Sequence, residues 1–149
     1  VYVAGYPFGK NVSDSVKVTK GIVSALAGVG NNPNQIQIDA AIQPGSSGGP
    51  IIDINGNVIG IAVAKLDLEE VLKNTGAIPE NTNFGIKSSV VKSFLDRNNI
   101  SVPLPNKDLL GTSELNHLIT SSTYYLSCWM TYADVKKKLS KKVFFKNIE

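Results

Sequence analysis

Through about residue 87 the chain is written in short apolar and β-branched runs, each cut off by glycine, asparagine or proline, and this punctuation restricts the fold more than any other feature. Val1 to Gly5 reads as a strand, closed by a turn at Tyr6-Pro7-Phe8-Gly9. Val16 to Ala27 is rich in β-branched residues and predicts one long strand. Asn31-Asn32-Pro33-Asn34 is a turn, and Ile36-Gln37-Ile38 alternates as a half-buried strand does. Ile51 to Ile54 and Val58 to Leu66 flank Asn55-Gly56, the signal of a two-residue hairpin, and Asn83 to Ile86 gives a sixth strand. Six short strands joined by tight turns predict a mainly β chain folded as a small antiparallel barrel.

Helical patterns interrupt and then follow these runs. Asp67 to Asn74 predicts a short helix stopped by Gly76, inside a long connection reaching Thr82. Ser88 to Asn98 predicts a helix capped by Ser88 or Ser89, with Val90, Val91, Phe94 and Leu95 on its apolar face. Pro103 and Pro105 mark a linker. Beyond it, Ser113 to Ile119 reads as helix and Thr123 to Trp129 as strand. Thr131 to Leu139 reads as helix with a Thr131–Asp134 capping box, and Val143-Phe144-Phe145 as a closing strand. The organisation expected is residues 1–100 as a barrel with its C-terminal helix, and 101–149 as a linker and small α/β extension packed on the barrel. Val1 opens within an apolar run without an initiator methionine, as expected of a cut through a longer protein.

Composition removes several classes of function. The 149 residues carry a net charge of +3, and Lys136, Lys137, Lys138, Lys141, Lys142 and Lys146 more than account for it. The remainder is slightly acidic, so no broad nucleic-acid-binding surface is expected. A single cysteine, Cys128, excludes an internal disulfide and a cysteine-based metal site, and it reads as a buried structural thiol. No apolar stretch is long enough to span a membrane as a helix.

Chemistry concentrates in Gly45-Ser46-Ser47-Gly48-Gly49-Pro50. A serine hydroxyl becomes a nucleophile only when a base takes its proton and donors catch the oxyanion that develops. Glycine neighbours allow the backbone to curl so that amide N–H groups converge on one point. The G-x-S-x-G elbow of α/β-hydrolases requires a helix after the serine, but here Pro50-Ile51-Ile52 and a hairpin follow. A phosphate loop requires a Lys-Ser or Lys-Thr pair that is absent. The only histidine, His117, lies far downstream, so the chain reads as half of a hydrolase site.

The run from Ile36 to Pro50 closely resembles the nucleophile region of the HtrA/Deg family of trypsin-like serine proteases. Gly5-Tyr6-Pro7-Phe8-Gly9 resembles that family's G-x-P-F-G turn, and Val18-Thr19-Lys20-Gly21-Ile22-Val23-Ser24 its V-T-x-G-I-V-S strand. Gly56 to Ile61 and Asn83-Phe84-Gly85-Ile86 resemble the strands after the serine, so the likeness covers about residues 1 to 98 in one order.

The resemblance implies the second barrel of a chymotrypsin-like double barrel. It implies Ser47 as nucleophile and the N–H groups of Gly45 and Ser47 as the oxyanion hole. The catalytic His and Asp are then expected upstream, on a missing N-terminal barrel, leaving His117 and Asp39 outside the triad. It implies Ala41 as the floor of the primary specificity pocket, with Ile42, Val63, Ala64, Lys65 and Phe84 bordering the substrate. Ala41 carries no charge, so small and medium aliphatic residues are expected before the cut bond. The connection from Asp67 to Thr82 is expected to be mobile without substrate.

No metal or cofactor is implied. The expected partners are protein or peptide substrates, the first barrel and, as an option, a second copy of the chain; the implied location is the bacterial periplasm or envelope. Two features depart from the family. Ser46 stands where many members carry Asn and digestive trypsins Asp, and residues 101–149 are too few for a complete PDZ domain. The alternatives are a non-catalytic relative that binds extended peptides on a barrel edge, and a module whose tail is the working surface.

Overall fold

The computed structural model describes residues 1–9, 14–63, 81–127 and 129–140. The helix expected over 67–74 with the connection around it, the strand at 143–145, Ala64, Lys65 and Cys128 lie outside those residues. The chain is mainly β. Seven strands form one antiparallel sheet: β1 (Tyr2–Gly5), β2 (Lys17–Lys20), β3 (Val23–Ala25), β4 (Gln35–Ile38), β5 (Pro50–Ile52), β6 (Val58–Val63) and β7 (Asn83–Lys87). Among the described residues three α-helices follow: α1 (Ser88–Arg97), α2 (Thr112–Ser122) and α3 (Tyr132–Ser140).

The strand order is β2-β1-β5-β6-β7-β4-β3. The two edges, β2 and β3, are halves of the run expected as one strand, separated only by Gly21 and Ile22. The run bends there because two polar contacts capture its backbone: Gly21 N–H donates to Val1 O at 2.9 Å, and Ile22 N–H donates to Asp39 Oδ1 at 2.6 Å. β2 therefore pairs with β1 (Tyr2 opposite Lys20), while β3 pairs with β4 (Val23 opposite Ile38). One bent run at both edges curls the sheet into an open half-barrel, and it turns the six expected strands into seven.

Alternation sorts the side chains. Val3, Ile36, Ile38, Ala40, Ile42, Ile51 and Ala62 fill the interior. Ala4 and Ile52, one residue along from Val3 and Ile51, point outward, yet they too are buried because Leu115 and Ile119 of α2 pack on them. The extension thus supplies a second core on the outer face of β1 and β5, with Leu110, Tyr2, Val16 and Val18 around it.

The hairpin between β5 and β6 has a longer loop than the expected two-residue turn. Asp53 Oδ1 accepts the N–H groups of both Asn55 and Asn57, at 2.9 and 2.8 Å. Gly56 N–H returns to Asp53 O at 3.2 Å, and Gly56 sits at φ +83°, so a turn followed by a left-handed residue closes the loop. The linker is tied to this loop. Asn106 Nδ2 donates to Asn55 O at 2.9 Å, and Asn57 Nδ2 to Asn106 O at 2.9 Å.

Three other expectations change in detail. α1 has no side-chain cap; Ser89 instead lies in the first turn, where its carbonyl accepts Ser93 Oγ. Phe94 on its apolar face is largely exposed. Residues 123–127, expected as a strand, are irregular, because α2 delivers them to the end of the barrel rather than alongside an open strand edge. The α3 capping box forms in half: Thr131 Oγ1 accepts Asp134 N–H at 3.2 Å, but Asp134 Oδ2 accepts the Thr131 hydroxyl at 2.6 Å rather than its backbone N–H.

Candidate active site

The segment from β4 to β5 is pinned before it reaches Ser47. Asp39 holds the bend at Ile22, Asn83 Nδ2 donates to Ala40 O at 2.9 Å, and Thr19 Oγ1 donates to Ala41 O at 2.8 Å. Ile42 then turns into the barrel interior at 1% exposure. Pro44 O accepts Phe8 N–H at 2.7 Å, which ties the loop to the turn after β1. From β5's side, Ala62 N–H donates to Gly49 O and Gly48 N–H to Ala62 O, both at 2.8 Å.

Between these anchors the loop adopts left-handed backbone at Gly45 (φ +97°) and Gly48 (φ +86°). At Gly45 no other residue fits, because a Cβ would run into Tyr6 O and stand 3.0 Å from Phe8 N. Ser46 is buried against Gly5. Ser47 is exposed.

Hydrogen bonding in the loop is selective. Ser46 N–H donates to Gln43 O at 2.9 Å, and Gly49 N–H to Ser46 O at 3.0 Å, while Gly48 N–H is used as above. Among the described residues, the N–H groups of Gly45 and Ser47 and the Ser47 hydroxyl have no partner. An exposed hydroxyl beside two uncommitted amide donors is equipped to bind an oxyanion or carbonyl oxygen.

Ser47 opens on a cleft of about 550 Å³. Its barrel side is lined by Tyr6, Phe8, Gly45 and Ser47, and its other side by Thr123, Tyr124, Tyr125 and Leu126 of the extension. Tyr6 OH donates to Thr123 O at 3.3 Å, and the Tyr6 and Tyr125 rings meet edge to face with centroids 5.5 Å apart. These aromatic residues were not legible as site residues. The only sequence signal was the Tyr124-Tyr125 pair itself, and its meeting with Tyr6 spans more than a hundred residues.

The described residues expected to border substrate are spread over the segment after β4 and strands β6 and β7. Ala41 is exposed, Val63 half-buried, and Ile42 and Phe84 buried. None of the four lines the cleft described above. His117 sits exposed on α2 and lines a separate cleft with Asn55, Gly56 and Leu118. Among the described residues no three His, Cys, Asp or Glu side chains gather as a metal-ligand set, and no helix is long and apolar enough to cross a membrane.

Comparison with known proteins agrees with the sequence pattern. Residues 1–61 match the trypsin-like peptidase domain. The chain is 42% identical over 129 residues to an uncharacterized protein of Sinorhizobium fredii, y4bJ, which takes in 86% of this chain and 20% of that protein. A match of that length includes part of the region beyond residue 100. It is 39% identical over 89 residues to the serine protease Do-like HtrA of Bacillus subtilis, covering 54% of this chain and 19% of the relative. The crystal structure of the serine endoprotease from Yersinia pestis matches 64% of this chain and 29% of its own, at 28% identity and a TM-score of 0.47. The chain spans about a fifth of the length of the curated relatives it matches.

Proposed function

We propose that this chain, an HtrA-like chain of the trypsin-like peptidase kind, carries the nucleophile half of a serine endopeptidase. Ser47 Oγ would attack a peptide carbonyl, and the N–H groups of Gly45 and Ser47 would hold the resulting oxyanion. Collapse of that intermediate breaks the C–N bond, with the proton taken from Ser47 passed to the leaving amine. Water then cleaves the acyl-enzyme by the same route in reverse.

The base is proposed to come from outside the described residues, because His117 lines a different cleft from Ser47. The proposed substrates are proteins or peptides, consistent with the serine protease named among the relatives. The single observation that carries the reading is the pair of unused amide N–H groups at Gly45 and Ser47 on either side of Ser46, whose own N–H is bonded to Gln43 O.

The test is hydrolysis of an unfolded protein by the polypeptide that contains this segment in its source cells, at whatever length it is made. Cleavage abolished by Ser47→Ala supports the reading. Cleavage that survives Ser47→Ala overturns it. Peptide binding without any cleavage would favour the non-catalytic alternative.

A further inference from the structure

We propose that the extension forms one wall of the substrate site, and that the Tyr6–Tyr125 pair with Tyr124 and Leu126 selects a neutral, apolar residue immediately after the cut bond. This rests on the reading of Ser47 as nucleophile. An extended peptide lying across Ser47 sends the residues before the bond to one flank and those after it to the other. The resemblance implies Ala41, Val63 and Phe84 for the acyl flank, and none of the three borders the cleft at Ser47. The proposal accordingly takes that cleft as the leaving-group flank. Its volume of about 550 Å³ is within the range that accepts a ligand of peptide side-chain size and more.

The wall is held rather than draped. α2 is fixed by Leu115 and Ile119, both buried against Ala4 and Ile52. Buried Thr123 ends the helix with its Oγ1 donating to Ile119 O at 2.8 Å. Its carbonyl accepts Tyr6 OH, and Tyr125 then stands edge-on to the Tyr6 ring with 76° between the planes. Tyr124 and Leu126 are 76% and 90% exposed at the mouth, where their apolar surface is accessible to a bound side chain.

Among the described residues lining the cleft none carries a formal charge. A charged side chain entering it would lose hydration without a partner, whereas a leucine or phenylalanine would gain buried area against two rings. Specificity on this flank then comes from residues 123–126, in the extension that follows the barrel.

Binding tests this without any chemistry. The polypeptide that contains this segment in its source cells, carrying Ser47→Ala, is titrated with acetyl-Ala-Ala-Val-X-Ala-Ala-amide, where X is Gly, Leu, Phe or Asp, by calorimetry. The Leu and Phe peptides should bind about tenfold more tightly than the Gly and Asp peptides, the discrimination a few buried carbons supply. Tyr125→Ala should bring the Phe-to-Gly ratio to about twofold or less. Leu126→Lys, at an exposed position that leaves packing intact, should improve the Asp peptide by about threefold. Equal affinities for all four peptides, no binding by any of them, or a Phe-to-Gly ratio unchanged by Tyr125→Ala in a folded chain would each overturn the proposal. Failure of Ser47 to act as a nucleophile leaves these affinities untouched, so the two readings fail separately.

Discussion

Ile119→Ala should destabilise barrel and extension as one unit. Ile119 is 1% exposed and packs with Leu115 on the outward-facing Ala4 and Ile52. The substitution removes three carbons, worth about 2.4 kcal/mol at about 0.8 kcal/mol each on transfer. A residual cavity adds to this, and partial collapse of α2 onto the sheet subtracts from it, so about 3 kcal/mol is expected within the usual range of about 2–5 kcal/mol. With a urea slope of about 2 kcal/mol per molar, the midpoint should fall by about 1.5 M. Far-UV circular dichroism through a urea titration reads both sheet and helix. A single transition, shifted with unchanged slope, is the expected result. Leu118 on the same helix is 39% exposed, so Leu118→Ala should cost about 1 kcal/mol or less. A midpoint within about 0.3 M of wild type, or loss of the helical signal ahead of the sheet, would refute the idea that α2 and the barrel share a core.

Three further outcomes follow from the loop and the linker. Gly45→Ala places a Cβ against Tyr6 O at φ +97° and should cost about 1–3 kcal/mol in a urea titration, with oxyanion binding lost as the amide moves. Ser47→Ala removes a hydroxyl with no partner and should leave stability within about 0.5 kcal/mol in the same titration, separating chemistry from folding. Asn106→Ala deletes side-chain bonds to Asn55 O and to both the carbonyl and N–H of Asp108. Partly exposed bonds of this kind are worth about 1–2 kcal/mol together, so calorimetry should show the melting temperature falling by about 3–6 °C.

What could be read from the sequence was local. Alternation in Ile36-Gln37-Ile38 and the paired runs around Asn55-Gly56 announce strands because the period of two is imposed by the residues themselves. The glycines around Ser47 announce a tight loop for the same reason. The break at Gly21–Ile22 was not legible, because it depends on Asp39 and Val1 capturing backbone groups from other strands. The hairpin loop grew because one side chain, Asp53, accepts two backbone donors that a two-residue turn would not present. The tail misled most. Tyr124-Tyr125-Leu126 has the composition of a strand, but α2 is anchored on Ala4 and Ile52 and sets the segment down beside Tyr6 instead. No short-range pattern encodes that meeting, so one wall of the cleft stayed hidden while its serine was plain.

The most direct measurement is where a fluorophosphonate forms its adduct. Such a probe bonds only to a serine that is both activated and supplied with oxyanion donors. Extract of the source cells is labelled, the polypeptide containing this segment is isolated, and the modified peptide is sequenced by mass spectrometry. The account predicts the adduct on Ser47, abolished by Ser47→Ala and by Gly45→Ala. An adduct on another residue, or none at all on a polypeptide that still hydrolyses protein, would contradict it.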